Sequence, residues 1–323
     1  MMNSRNLIKT ALGLVLIVLT MSCDKQEDDP TSPPSTETTL PTSNIELLNF
    51  MKQNEIDYTQ KFSINTTEET KIIGKEGTQL IFPANCFQTL DGESVTGKVE
   101  LNLIEVYKKS DMIFLNKPTM AYNPNGEGLL PLISGGEFKI TASQDGKELK
   151  IKPNTTYTLT TKSQDNITSD MQFFTGIEKN DTLTWVQSDS SNITINKSDY
   201  LLNINALNWI NCDYFYSNPN QQSLIRVKLP KGFNINNCSL FISFDGMTSI
   251  TQLYGFEEGL ITSAPYYKLP IDLDVHFIAL SYINQQPYYS ISSSKIQNNH
   301  LEVLSDLKQI TKEDLKKKIE LLP

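Results

Sequence analysis

Hydrophobic positions along the chain fall into three regimes. Between Thr10 and Thr20 they run together for 11 residues without a charge. From Asp24 to Ser43 they almost vanish. From residue 44 onward they recur periodically. "IELLNFMKQNEI" has helical spacing, and Ser43 with Glu46 forms a capping box before it, which predicts a short helix over 44–60. From Lys61 the period drops to two. In "GKVELNLIEVY", Val99, Leu101 and Leu103 share one face, then Ile104 and Val106 take the other. That phase slip reads as a bulge or as a strand whose burial changes along its length. "FKITASQDGKELKI" alternates on both sides of Asp145-Gly146, the strongest hairpin signal in the chain.

The second half has the same texture without an obvious repeat. In "SLIRVKLP", Ile225, Val227 and Leu229 alternate with Arg226 and Lys228. "CSLFISF", "VHFIALSYI" and "YYSISSS" follow, separated by Gly, Pro and Asn turns. Thr311 then caps "KEDLKKKIELL", whose lysines lie toward the later turns that the helix dipole favours. At 323 residues, two folded units fit a prior of about 150 residues per domain. The pattern predicts an all-β protein of two β-sandwich-like domains, over 61–200 and 201–305, with a C-terminal helix over 306–323.

Charge narrows the partners. The formal net charge is −9, and loss of the leading segment with Arg5 and Lys9 takes it to −11. An acidic body without a basic stripe repels phosphate backbones, which argues against nucleic acid. The apolar run is too short for the roughly 20 residues of a membrane-spanning helix. With Arg5 and Lys9 before it, residues 1–22 read as an export signal. Asp24 to Ser43, with acids at 24, 27, 28, 29 and 37 and prolines at 30, 33, 34 and 41, reads as an extended tether.

Leu19, Thr20, Met21, Ser22 and Cys23 resemble the box that ends the signal of bacterial lipoproteins, although Thr20 and Met21 depart from its usual Leu and small residue. The resemblance implies that Cys23 becomes the acylated first residue, the tether then covering 23–43. Several acyl chains hold firmly where one holds marginally, at about 0.8 kcal/mol per buried methylene. "DKQEDD" resembles the acidic export signal of Bacteroidota-type surface lipoproteins, which implies an outer-membrane protein exposed at the cell surface; a periplasm-facing anchor is the other orientation. "IIGKEGTQLIFPANCFQTLDGESVTGKVELNLIEVYKKSDMI" and "LLPLISGGEFKITASQDGKELKIK" resemble a domain of such lipoproteins and, distantly, the ZU5-like β-sandwich class. "MQFFTGIEKNDTLTWV" and "LNWINCDYFY" resemble later segments of the same proteins. These stretches describe a scaffold, and the resemblance brings no catalytic residues with it.

Candidate chemistry is sparse. With Cys23 lipidated, Cys86, Cys212 and Cys238 remain. Either Cys212 pairs with Cys238 in an oxidising envelope, or all three are buried thiols. Two histidines, His276 and His300, leave most zinc and Ser-His-Asp schemes without members. In "DLDVH", Asp272, Asp274 and His276 share a strand face and offer a possible metal site; the plainer reading is a solvated face opposite Leu273, Val275 and Phe277. Ser292 to Lys295 matches S-x-x-K only formally, since its partner motifs are missing. Trp209, Tyr214 and Tyr216 offer aromatic faces for a glycan, and the tyrosine pairs at 266/267 and 288/289 each turn one ring outward if they lie on strands; the plainer reading is core residues with tyrosines at the rim. "Asp181-Thr182-Leu183" resembles a short O-glycosylation sequon of the same bacteria, with Thr182 the acceptor.

The sequence therefore predicts a lipid-anchored envelope protein with a structural or binding role, no catalytic residues and no cofactor. It would touch the membrane through Cys23 and meet an envelope protein or a glycan. The runner-up is a glycan-binding accessory lipoprotein using the aromatics around Trp209.

Overall fold

Alternation with a period of two makes sheets, and a second apolar face on some strands decides how those sheets stack. The computed structural model describes residues 40–162, 168–179, 181–188, 193–196 and 199–323. The export signal, Cys23 and the tether up to Thr39 lie outside the described residues. Strands hold 51% of the described residues and three short helices 11%, so the fold is all-β with a C-terminal helix. Among the described residues no helix is long and apolar enough to cross a membrane.

Residues 40–323 contain four main sheets enclosing three cores. A five-stranded sheet, ordered Ile193–Asn196, Asp199–Ile204, Tyr157–Lys162, Gln79–Phe82 and Thr70–Ile73, covers one face of a nine-stranded sheet. Leu80, Tyr157, Leu159 and Tyr200 meet Val99, Leu101, Phe138 and Ile140 in the first core. On the far side, a second five-stranded sheet built on Ser239–Phe244, Asp274–Ile283 and Gln286–Lys295 packs against a four-stranded one containing Ile225–Lys228. Ile225, Val227, Ile242 and Phe277 fill that third core. The middle core lies between the inner sheets. It joins Ile104, Val106, Trp185 and Trp209 to Phe241, Ile278 and Leu280. The strand Asp199–Ile204 spans the boundary that the sequence places at 200/201, and Asn208–Phe215 still belongs to the nine-stranded sheet.

This layering explains the phase slip. The strand Lys98–Val106 keeps an unbroken register with its neighbour, from Glu100 opposite Ser143 to Val106 opposite Glu137. No bulge intervenes. Leu103 faces the first core while Ile104 and Val106 enter the middle one, so the strand changes from one-sided to two-sided burial. A bulge does occur in Leu129–Gln144, where the register passes from Asn211 opposite Glu137 to Asp213 opposite Ser134. Gly135 and Gly136 thus face one residue, Cys212. Gly136 has φ +136°, and a Cβ there would lie 2.7 Å from the Tyr107 ring. The predicted hairpin turn is present, with Asp145 and Gly146 both at positive φ as a type I′ turn requires.

Part of the nine-stranded sheet curls shut. Met120–Tyr122 pairs with Leu129–Gln144 on one side and with Thr182–Gln187 on the other, completing a ring through Gln172–Lys179 and Asn208–Phe215. Closure removes unpaired edges from those strands.

Three helices seal the middle core. The first, α1 (Ile45–Tyr58), buries Leu47 and Met51. Its N-cap is Asn44 with no side-chain cap bond, so the expected Ser43–Glu46 box does not form. The second, α2 (Lys109–Leu115), is almost wholly buried and receives the Asn54 amide at the Phe114 carbonyl, 3.0 Å. The third, α3 (Lys312–Glu320), starts as predicted: the Thr311 hydroxyl accepts the Asp314 N–H at 3.1 Å. Leu315 and Ile319 point inward, and Lys316 reaches Asp111 of α2 at 2.8 Å.

Candidate binding groove

Three separate segments, 124–131, 215–222 and 265–270, converge on a groove of about 590 Å³. Its walls are held by backbone hydrogen bonds. Leu129 N–H donates to Tyr266 O at 2.8 Å, Tyr216 N–H to Pro131 O at 2.9 Å, and Ile271 N–H to Gln221 O at 2.8 Å. Gly128 has φ +89°, and a Cβ there would come within 2.5 Å of Tyr266 O, so glycine permits this approach. Aromatic rings and amides line the hollow. Tyr216 is half-buried; its ring packs edge-on to Phe244 and its hydroxyl receives the Asn218 amide at 3.0 Å. Tyr266 is 41% exposed and meets Tyr254 edge-on, with centroids 5.8 Å apart. Asn125 and Gln222 add exposed amides, while Glu127 and Lys268 contribute one charge of each sign.

A second hollow of about 510 Å³ shares Gly128, Leu129 and Tyr266 with the first. Tyr122, 51% exposed, and Ile177 line it together with Thr182, Thr184 and Lys179. Tyr266 is the ridge between the two. Both volumes fall in the range of small-ligand sites, roughly 300–1,000 Å³.

The charged clusters elsewhere are committed to the protein's own groups. Lys117 and Lys139 lie over the Trp209 ring, 4.8 and 5.5 Å from its centroid. Glu55 of α1 and Glu178 bridge both lysines, giving a four-membered ring of alternating charge. Burial lifts the Glu178 carboxyl, but the hydrogen bond and charge of Lys117, with Lys139 behind, outweigh it and hold the group below its ordinary range. The ring ties α1 to the sheet and leaves no free cation for a ligand.

Beside it, at the bulge, sit two fully buried carboxyls. Burial pushes Asp213 well above the usual carboxylate range, against hydrogen bonds from Ser134, Asn211 and the Gly135 N–H. Burial raises Glu137 likewise; Asp213 adds to the shift and Lys117 opposes it. Neither Glu137 oxygen has a hydrogen-bond partner.

The residues singled out by sequence are dispersed. Trp209 is 1% exposed and edge-on to Trp185, so it is no sugar platform. Asn211 and Asp213, which follow it at alternate positions, line the buried bulge. Tyr214 is half-buried in the same strand, and of the three aromatics only Tyr216 reaches the groove. Cys212 belongs to the first core and Cys238 to the third, so the possible pairing does not form and the alternative of buried thiols holds. Both are buried free thiols, as is Cys86; burial pushes Cys86 up to about 11 and Cys238 up to about 12. The possible metal site is also taken apart. Asp274 pairs with Lys295 at 2.7 Å, His276 pairs with Asp245 at 2.7 Å, and Asp272 lies in the turn before the strand. Among the described residues no group of three His, Cys, Asp or Glu side chains is gathered as a metal requires. His300 is stacked on Phe277 in the third core. Thr182 opens the strand Thr182–Gln187 after the Asp181 turn and borders the second hollow.

Tyr266 belongs to one of the two tyrosine pairs read from the sequence, in "PYYK", where adjacent strand-like residues face opposite ways; Tyr267 turns inward to Gln252 O and Tyr266 outward, so one ring of this pair is exposed. No family model, curated protein or solved structure matches this chain.

Proposed function

We propose that this chain is a lipid-anchored envelope protein, held by acyl chains on Cys23 and exposed at the cell surface, whose β body serves as a binding module without a catalytic step. The observation that carries the binding role is the groove at Tyr216 and Tyr266. Among the described residues this hollow pairs a hydrogen-bonded backbone frame with an exposed aromatic ring and amides, whereas the charged clusters described above are matched internally. The anchor rests on the order of a short apolar run, Cys23 and an acidic, proline-rich tether. An acidic body suits a protein that meets neutral or cationic partners rather than nucleic acid.

Fatty-acid labelling of wild type and Cys23→Ala, with protease treatment of intact cells, tests the address. The expected result is label on the wild type, none on the variant, and digestion of the wild-type pool from outside. Label persisting on the variant would overturn the anchor; a pool that resists external protease would turn the body toward the periplasm.

A further inference from the structure

We propose that the two hollows flanking Tyr266 are consecutive subsites for one uncharged carbohydrate chain, with the Tyr266 ring as the stacking platform between them. This rests on the binding role given to the groove above and not on the membrane address.

The hollows, about 590 and 510 Å³, meet along Gly128, Leu129 and Tyr266, so an occupant longer than one subsite must cross that ridge. A sugar ring has an apolar C–H face and a rim of hydroxyls. The lining matches both. Tyr266 and Tyr122 are 41% and 51% exposed. Rings in this state are amphipathic surfaces, apolar on the face and hydrogen-bonding at the tip. Around them stand neutral amides and hydroxyls: the exposed Asn125 amide and the Gln222 carbonyl end on one side, where Asn218 is already joined to the Tyr216 hydroxyl and Gln222 Nε2 to Asn220 O at 3.2 Å, and Thr182 and Thr184 on the other. An amide presents a donor and an acceptor together, which adjacent hydroxyls of a sugar satisfy as a pair.

Charge excludes the nearest competitors. A phosphorylated or sulfated ligand calls for clustered cations, and the two hollows hold only Lys268 and Lys179, one each, with Glu127 opposing in the first. A peptide that adds as a strand needs a free edge. Residues 129–131 offer none: Met120–Tyr122 takes one side of them, and Tyr266 O and Tyr216 N–H take up groups on the other. A proline-rich peptide needs only aromatic slots, so it enters the test as a competitor. The frame is set before the ligand arrives, because Tyr266 is fixed by its own carbonyl and by its N–H to Ser263 O at 2.9 Å. Less ordering on binding favours affinity.

The experiment uses the full chain purified in detergent, on affinity gels containing neutral polysaccharides (β-glucan, xylan, mannan, arabinan) and on two charged ones, polygalacturonate and heparin. Retention by at least one neutral polymer and not by the charged ones is expected. Tyr266→Ala should weaken it tenfold or more with an unchanged melting temperature, while Tyr266→Phe keeps it, since stacking uses the ring and not the hydroxyl. Tyr122→Ala should weaken long chains more than disaccharides, as a second subsite requires. Retention unaffected by Tyr266→Ala, preference for the charged polymers, displacement by a proline-rich peptide, or no retention across the neutral panel would each overturn the proposal. Failure of the Cys23 labelling leaves these outcomes untouched, so the two ideas fail separately.

Discussion

Two glutamates show what a buried carboxyl needs. Glu105 and Glu137 lie on adjacent strands and both are buried. Glu105 accepts hydrogen bonds from Gln60 Nε2 at 2.8 Å and from the Glu76 and Thr78 N–H groups at 3.0 Å, so its charge is matched. Glu137 has no such partner, and burial holds its proton on. The fold therefore binds a proton that the unfolded chain releases above its ordinary carboxylate pKa of about 4.3. Linkage then gives a sign: stability from this group is complete below that pH and is lost as pH climbs toward the raised folded value. Glu137→Gln removes the titration. Urea-unfolding midpoints from pH 5 to 8 should fall less steeply for the variant than for wild type. Parallel curves would show that Glu137 carries its charge in the folded state. None of this is legible in the sequence, because the alternation of "FKITASQ" does not disclose that both faces of the sheet at Glu137 are covered.

At the scale of elements, sequence legibility tracks how local the cause is. The Asp145-Gly146 turn and the Thr311 cap depend on neighbours a few residues away, and both form as read. The Ser43–Glu46 box is equally local but fails, α1 being placed instead by Leu47, Met51 and the Glu55 ion pairs. Tertiary packing overrides a cap worth about 1 kcal/mol. For α3 both causes act, and they separate by substitution. Thr311→Ala should cost about 1 kcal/mol and Ile319→Ala about 2–5 kcal/mol, read from denaturant midpoints. An equal cost for the two would mean that the helix is held by its cap and not by the middle core.

Across the whole molecule, the informative residue is Trp209. Its aromatic cluster offered a glycan face against the plainer reading of a core residue, and the plainer reading holds: it closes a core to which both halves of the chain contribute. Strand periodicity identifies one buried face; it cannot tell that a second sheet lies across the other. The same limit applies to the groove: Tyr216 and the pair Tyr266-Tyr267 are legible as aromatics, but their three segments are distant in sequence and nothing local says that they meet. A shared core has a mechanical corollary. Residues 40–216 and 217–323 produced as separate chains should each expose the apolar surface that the other covers. Strong ANS fluorescence and loss of cooperative melting are expected from each, with partial recovery on mixing. Two cooperative, dye-silent fragments would show that the halves stand alone.

Because one wall of the groove is made by residues 124–131 and another by 265–270, an occupant gripping both behaves like a rivet through the seam. Its binding free energy adds to the resistance of that seam to parting, by about 2.7 kcal/mol at a hundredfold excess over the dissociation constant. Heat resistance thus becomes a reporter, and a simple melting screen can search for the natural occupant without knowing its name.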